Sequence, residues 1–365
     1  MSTEHPPLVA AASDRAQGPP VPEASVTTTA STRAVGGAPP DPAPVALPRR
    51  RRLLGDRSVR TVVGVYVFLI VLITASRAVS SSFGSLSFTR TVVALSAFTA
   101  VAGFGQFVVV LTGGLDLSIP NVIALSGVVL TGVSLGESSK VWWVVPLVLA
   151  IGTGVGIVNG LGIVYLRLSP VVMTLAVNVI LSGVVLVYTS GTPKGSTPAN
   201  IVHLIQGKVL GGALPNIIIL LAGFTILATL LVNQTVFGRY VYAVGSNRQV
   251  AYLSGVRVNR VVVAVYAISG FCSALAGIML AGYGNQSFLG MGDPYLLLSL
   301  AAVVVGGASI MGGRGFYLGV LGGAIILTTI STTLSGTSLP EAVKQIVYAI
   351  AIIAAVLAAR QQQPD

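Results

Sequence analysis

The chain has 365 residues, of which 53% are hydrophobic and only 8% charged, with a formal net charge of +11 and a mean hydropathy of +0.88. So apolar a composition excludes a soluble globular domain, and its long apolar runs fit membrane helices better than the weak alternation of a membrane barrel. The basic excess fits arginine-rich loops beside a membrane better than a nucleic-acid surface. The one cysteine, Cys272, excludes an intramolecular disulfide and reads as a small packing residue in an apolar segment.

Residues 1–48 are rich in Pro, Ala, Ser, Thr and Gly without apolar periodicity, the composition of a disordered tail. No apolar core follows the initiator methionine, so a cleavable signal peptide is not expected. Arg49 to Arg52 then read as a positive anchor ahead of the first span.

A helix crossing the hydrocarbon core needs about 20 mostly apolar residues. Ten candidate spans meet or approach that length: 61–79, 90–112, 119–135, 141–166, 171–190, 214–233, 260–282, 295–311, 315–334 and 342–359. The expected transmembrane domain is 49–360. With both termini inside the cell, fifteen basic residues fall on the cytoplasmic side: Arg15, Arg33, Arg49 to Arg52, Arg57, Arg60, Arg167, Arg239, Arg248, Arg257, Arg260, Arg314 and Arg360. Six fall outside: Arg77, Arg90, Lys140, Lys194, Lys208 and Lys344. That asymmetry follows the positive-inside rule.

Within this frame, Gly152, Gly156 and Gly160 recur every fourth residue, as do Gly315, Gly319 and Gly323, which predicts close helix contacts. The connection at 191–213 has a loop composition, and its segment Ile201–Ile205 predicts a short interfacial helix. His203 within it has no second His or Cys nearby and reads as a surface residue; no metal site is expected.

The segment 112–121, Thr-Gly-Gly-Leu-Asp-Leu-Ser-Ile-Pro-Asn, is the most unusual sequence between closely spaced spans. Two glycines open a turn, and Pro120 suits the first turn of a new helix that Asp116 or Ser118 would cap. A direct substrate or gating role for Asp116 is the alternative. Candidate residues for a hydrophilic pathway are Asp116, Ser118, Asn121, Gln106, Asn159 and Asn178; a further intramembrane polar residue is Gln345. Each could equally hydrogen-bond a neighbouring helix. Residues 245–260 are a polar, arginine-bearing island with helical character inside a connection of about 234–260, which suggests a docking element.

Enzyme signatures are missing. No phosphate-binding G-x-x-x-x-G-K-[ST] loop occurs, nor G-x-S-x-G or H-E-x-x-H, so no catalytic residue or cofactor is expected. An ion-coupled secondary carrier would need buried ionisable relays, and Asp116 alone gives thin support for one.

Four motifs in order carry a resemblance. Gly113-Gly-Leu-Asp116-Leu-Ser118 resembles the G-G-[IL]-D-L-S motif of the ribose-type (monosaccharide) permeases of ABC importers. Gly245-Ser-Asn247, with Ala251, Leu253-Ser254-Gly255-Val256 and Arg260, resembles that family's cytoplasmic loop. Tyr266-Ala-Ile-Ser269-Gly270 with Ala274-Leu-Ala276-Gly277, and Gly306-Gly307-Ala-Ser309-Ile-Met-Gly312-Gly313-Arg314-Gly315, match two later signatures. The similarity runs from about 60 to 360. It departs where the family commonly continues D-L-S-V-G and this chain reads Asp116-Leu-Ser-Ile-Pro120.

The resemblance implies an all-α, type II importer bundle of about ten transmembrane helices in a prokaryotic cytoplasmic membrane. It also implies a cytoplasmic ATPase pair, an extracytoplasmic sugar-binding protein and a second permease copy, identical or not. Gly245, Asn247, Arg248, Ala251, Leu253, Ser254 and Gly255 would form the ATPase-coupling element, a short helix around 248–253 with turns permitted by Gly245 and Gly255. The cargo implied is a ribose- or xylose-like sugar or a polyol. A nucleoside, a branched-chain amino acid or a signalling furanose is the alternative within the same class.

Overall fold

The computed structural model describes residues 56–350 except 79–82, 210, 213, 338–339, 341–342, 344–345 and 347–348. The tail 1–48, Arg49 to Arg52, Gln345 and most of the tenth expected span therefore lie outside the described residues.

The regular structure of the described residues is helical apart from one two-residue hairpin, Lys208–Val209 with Leu214–Pro215. In chain order the helices are α1 (Asp56–Ser76), α2 (Leu86–Leu111), α3 (Ile119–Ser134), α4 (Val141–Tyr165), α5 (Pro170–Thr189) and α6 (Ala199–Gln206). They continue with α7 (Asn216–Gln234), α8 (Val236–Ser246), α9 (Arg248–Leu253), α10 (Val258–Gly284), α11 (Pro294–Val305) and α12 (Tyr317–Ser335). Caps set several boundaries. Ser85 and Ser169 accept from the free N–H groups of Phe88 and Val172 at the starts of α2 and α5.

Among the described residues six helices are long and apolar enough to cross a membrane: α2, α4 with the 3-10 turn before it, α5, α7, α10 and α12. The apolar part of α1, α3 and α11 are shorter. The expected span 295–311 is the clearest difference. Helix α11 ends at Val305 after 12 residues, a rise of about 18 Å against a core of about 30 Å. Gly306 and Gly307 stop it, and 306–316 forms an irregular loop. Non-helical backbone near a membrane persists only where protein or water satisfies it, and here α2, α8 and α12 surround the loop.

Helices α2 and α10 are the axis of the bundle; α2 is 89% buried, whereas the windows of α4, α5 and α7 are 22% buried. Valine, leucine and isoleucine side chains along α5 and α7 face outwards, as lipid or a second apolar surface requires. Trp142, Tyr165 and Tyr188 are exposed at helix ends, the positions where amphipathic rings meet headgroups.

Glycines make the central contacts possible. A Cβ on Gly156 would strike the backbone of Tyr266 and Ala267, and one on Gly270 would strike Gly152 and Gly156. Thus α4 and α10 run antiparallel with backbones touching along 152, 156 and 160, as the four-residue spacing predicts. The second ridge is only partly helical. Gly319 and Gly323 let α12 approach Gly306 and Ala302 of α11, but Gly315 lies in the preceding loop at φ 152. Aromatic packing adds to this: Phe104 of α2 meets Tyr317 of α12 edge-on at 4.9 Å and Phe224 of α7 at 5.6 Å. Such pairs contribute roughly 0.5–1.5 kcal/mol each beyond burial.

A short helix does form in the 191–213 connection, as α6. It buries Ile201 and Ile205 against Gly282 of α10 and exposes His203. Cys272 is buried on α10.

Candidate functional site

Two polar assemblies meet at the end of the bundle where α2 finishes and α3 begins. They share the loop 112–118.

The first is a junction around α9. Asn247 is the N-cap: its side-chain oxygen accepts from the N–H groups of Gln249 and Val250, each at 3.0 Å. At the other end Gly255 has φ +82. Its N–H donates to the Tyr252 carbonyl, and the Val256 N–H to the Ala251 carbonyl. This is a Schellman stop, which needs a residue able to adopt the left-handed region. The six-residue helix expected at 248–253 is therefore held by its caps, since a helix so short is not stable by propensity. Ala251 is buried beneath it, while Val250, Tyr252, Leu253 and Ser254 are exposed, Tyr252 and Leu253 by 70% and 76%.

Gly245 has a different role from the one expected. It does not form a turn; it lies inside α8, a helix the sequence did not suggest. A side chain there would strike the Leu111 carbonyl and the Gly313 N–H. Arg248 also differs. It donates to the Thr112 carbonyl at 3.1 Å, so it grips the end of α2. Cations favour helix C-termini, where carbonyls lack partners. The Gly313 N–H donates to the Leu111 carbonyl at 2.9 Å, and the Tyr242 hydroxyl to the Gly315 carbonyl at 2.7 Å. Burial raises the Tyr242 phenol to about 12, so it remains a donor at any ordinary pH. The ends of α2, α8, α9 and the 306–316 loop are thus joined. Beside them Arg239, Arg257, Arg260 and Arg314 are exposed without an ion pair, the only salt bridge among the described residues being Lys140–Glu137.

The second assembly centres on Asp116, which is 1% exposed. One carboxylate oxygen accepts from the Ser118 N–H at 2.9 Å and the Ser118 hydroxyl at 2.6 Å. The other accepts from the Ser269 hydroxyl of α10 at 2.6 Å. Three donors offset part of the cost of burying the carboxyl group. Ser118 has spent its proton on Asp116, so it must accept from the Asn159 amide of α4, at 2.8 Å. On the other side of the loop, Thr174 of α5 accepts from the Leu117 N–H at 3.0 Å, and the Tyr266 hydroxyl donates to the Leu115 carbonyl at 3.3 Å.

The expected cap is corrected by this geometry. Ser118 is the N-cap residue of α3 but its side chain makes no capping bond. Asp116 closes an Asx turn onto Ser118 instead and ties α10 to it. Pro120 does occupy the first turn of α3.

Of the six candidate pathway residues, Asp116, Ser118 and Asn159 form one network and are buried. Gln106 is buried apart from them on α2, with its carbonyl oxygen lacking a donor. Asn121 and Asn178 form a separate half-buried pair between α3 and α5: the Asn121 amide donates to the Asn178 side chain at 2.9 Å and its carbonyl at 3.0 Å. Ser269 and Thr174 were not among the candidates. Small hydroxyls in apolar helices carry no sequence signal of their partners, although Ser269 stands in one of the motifs. Among the described residues no group of three His, Cys, Asp or Glu could hold a metal. An apolar cavity of ≈ 450 Å³ lies between α4, α6, α7 and α10, with Trp142, Leu204, Phe224 and Met279 in its wall. It offers sugar hydroxyls nothing to bond.

A family profile described as branched-chain amino acid transport system / permease component matches residues 88–356. The ribose import permease protein RbsC of Haemophilus influenzae is 33% identical over 297 residues, covering 80% of this chain and 91% of that protein. RbsC of Bacillus subtilis is 34% identical over 301 residues, covering 82% and 91%. The galactose/methyl galactoside import permease protein MglC of Escherichia coli is 31% identical over 284 residues, covering 73% and 84%. No solved structure matches.

Proposed function

This chain belongs to the branched-chain amino acid transport system permease family, with ribose-type import permeases among its relatives, and from that premise we propose that it is the membrane-spanning subunit of an ATP-binding cassette importer for a monosaccharide. It sits in a bacterial cytoplasmic membrane with both termini in the cytoplasm. A separate ATPase supplies the energy, an extracytoplasmic binding protein delivers the sugar, and a second permease copy completes the pathway.

The observation that carries the reading is α9: a capped six-residue helix with exposed Val250, Tyr252 and Leu253 and unpaired arginines beside it, keyed into the end of α2. It suits a groove on an ATPase whose rim is acidic. Asn247 and Gly255 hold it, Gly245 and Ala251 seat it, Arg248 fastens it, and Leu253 and Ser254 face the partner.

A sugar is neutral and needs hydrogen bonds along its path, not fixed charge. The one buried carboxylate among the described residues already has three donors, so it is not left over to bind a charged amino group or to relay a coupling ion. The half-buried Asn121–Asn178 pair is better placed to line the pathway than the buried Asp116, Ser118 and Asn159, which fix the loop ahead of α3. Branched-chain amino acid cargo is the second reading, favoured by the family's description. The relatives' names and the absence of spare buried charge favour sugar.

The test is uptake in proteoliposomes containing this chain, its ATPase and its binding protein. Labelled pentose or hexose should accumulate only with hydrolysable ATP, and leucine should not. Sugar movement by this chain alone, driven by an ion gradient, would overturn the reading; leucine accumulation would replace the cargo.

A further inference from the structure

The two polar assemblies are linked by one short stretch of backbone, and that has a mechanical consequence. At its outer end, residues 112–118 are held by Arg248 on the Thr112 carbonyl, directly after the Leu111 carbonyl that receives Gly313 and abuts Gly245. At its inner end the same stretch bonds three long helices: α10 through Ser269, α4 through Asn159, and α5 through Thr174. The segment is not helical, so it can be displaced without breaking a helical ladder. It cannot stretch freely, because Tyr266 fixes Leu115 and leaves no room for a Cβ at Gly114.

We propose that residues 112–118 are the linkage that carries displacement of α9 to α4, α5 and α10, with Arg248 at the input and Asp116 as the positioning residue at the output. This rests on the reading of α9 as the ATPase-docking helix. A displacement of α9 pulls the Thr112 carbonyl and moves Asp116. Because Asp116 holds Ser269 directly and Asn159 through Ser118, α10 and α4 shift with it. Bonds of 2.6 Å between these hydroxyls and the carboxyl group suit this duty: they are short, directional and enclosed away from water. The network also has slack for a second arrangement, since the Asn159 carbonyl oxygen is fully buried and has no donor.

The test separates docking from transmission. This chain is reconstituted in nanodiscs with its ATPase and loaded binding protein. Two quantities are read: the affinity of the ATPase for the permease, and the stimulation of ATP hydrolysis by the loaded binding protein. Uptake per ATP is measured in matched liposomes. Ser269→Ala and Asp116→Asn should each keep ATPase affinity within about threefold of the parent but lower both stimulation and uptake per ATP by tenfold or more, and Arg248→Met should lower stimulation and uptake per ATP to the same degree when the ATPase is added to saturation. Arg248→Met combined with Asp116→Asn should be no worse than the poorer single variant, since both cut one linkage. Thr174→Val is a milder cut at the α5 bond and should lower uptake per ATP by about threefold. Stimulation and uptake per ATP kept within twofold of the parent in Ser269→Ala and Thr174→Val would overturn the linkage, as would loss of ATPase binding in Ser269→Ala, Asp116→Asn and Thr174→Val. Failure of the parent chain to bind any ATPase is a different result and would instead remove the docking reading on which the linkage rests.

Discussion

Gly255 shows how one backbone angle decides whether α9, the proposed docking helix, exists. At φ +82 its N–H closes the helix on Tyr252, and no atom lies within 4 Å of where a Cβ would be. Space is therefore not the constraint; the angle is. Asn visits the left-handed region readily, β-branched residues do not, and proline is locked near φ −65° without an N–H. Gly255→Asn should bind ATPase within about threefold of the parent. Gly255→Val should weaken binding by about tenfold, as expected for roughly 1–2 kcal/mol of strain in the left-handed region. Gly255→Pro should abolish association and transport while leaving membrane insertion intact. Pull-down with the ATPase checks the order, and normal uptake by the proline variant would sink the docking role. The helix at 248–253 and the turn at Gly255 were expected from the family resemblance, whereas Asn247 as the cap emerges only from the geometry. The bond made by Arg248 was not legible in the sequence, because its partner carbonyl lies 136 positions earlier and a carbonyl has no residue signature.

At the scale of elements, packing separates glycines that look alike in sequence. Gly152, Gly154 and Gly156 share one helix, yet only 152 and 156 touch α10; a Cβ at Gly154 meets nothing within 4 Å. Gly156→Leu should push α4 from α10 and lower the melting temperature in detergent by 5 °C or more, since overpacking costs about 1–3 kcal/mol. Gly154→Leu should leave it within 2 °C. Equal shifts would show that helix propensity, not close approach, governs the position. The spacing made this ridge readable, and the same spacing misread Gly315, because two turns of a helix and a loop entering a helix can share a four-residue period. Hydropathy likewise extended span 295–311 past Val305. Ala308, Ile310 and Met311 are apolar enough to continue a helix, but the paired glycines at 306–307 stop it, and a loop supported by α2 and α8 takes over. Nothing local announces such tertiary support. Helix α8 was missed for the opposite reason, its short amphipathic run being absorbed into a polar connection.

For the whole molecule, the arrangement of charge and cap sets an orientation that chemistry can read directly. Antiparallel α4 and α10, and α6 packed on the far end of α10, place Lys194 and Gln249 at opposite ends of the bundle. Both are exposed. If the arginine-bearing end faces the cytoplasm, as the positive-inside rule requires, Gln249 is inside and Lys194 outside. The chain's only cysteine makes the experiment clean. Cys272 is buried in α10 between tightly packed helices, where a maleimide does not reach it. Lys194→Cys should therefore label with a membrane-impermeant maleimide in intact cells stripped of their outer barrier. Gln249→Cys should label only after the membrane is opened, and addition of the ATPase should then slow that labelling by about tenfold, because Gln249 lies in the first turn of α9, the proposed docking helix. Labelling of Gln249→Cys in sealed cells would invert the bundle and place α9 on the side that has no ATP. It would also leave the exposed arginines facing away from any ATPase, so orientation, docking and energy source stand or fall together on one accessibility measurement.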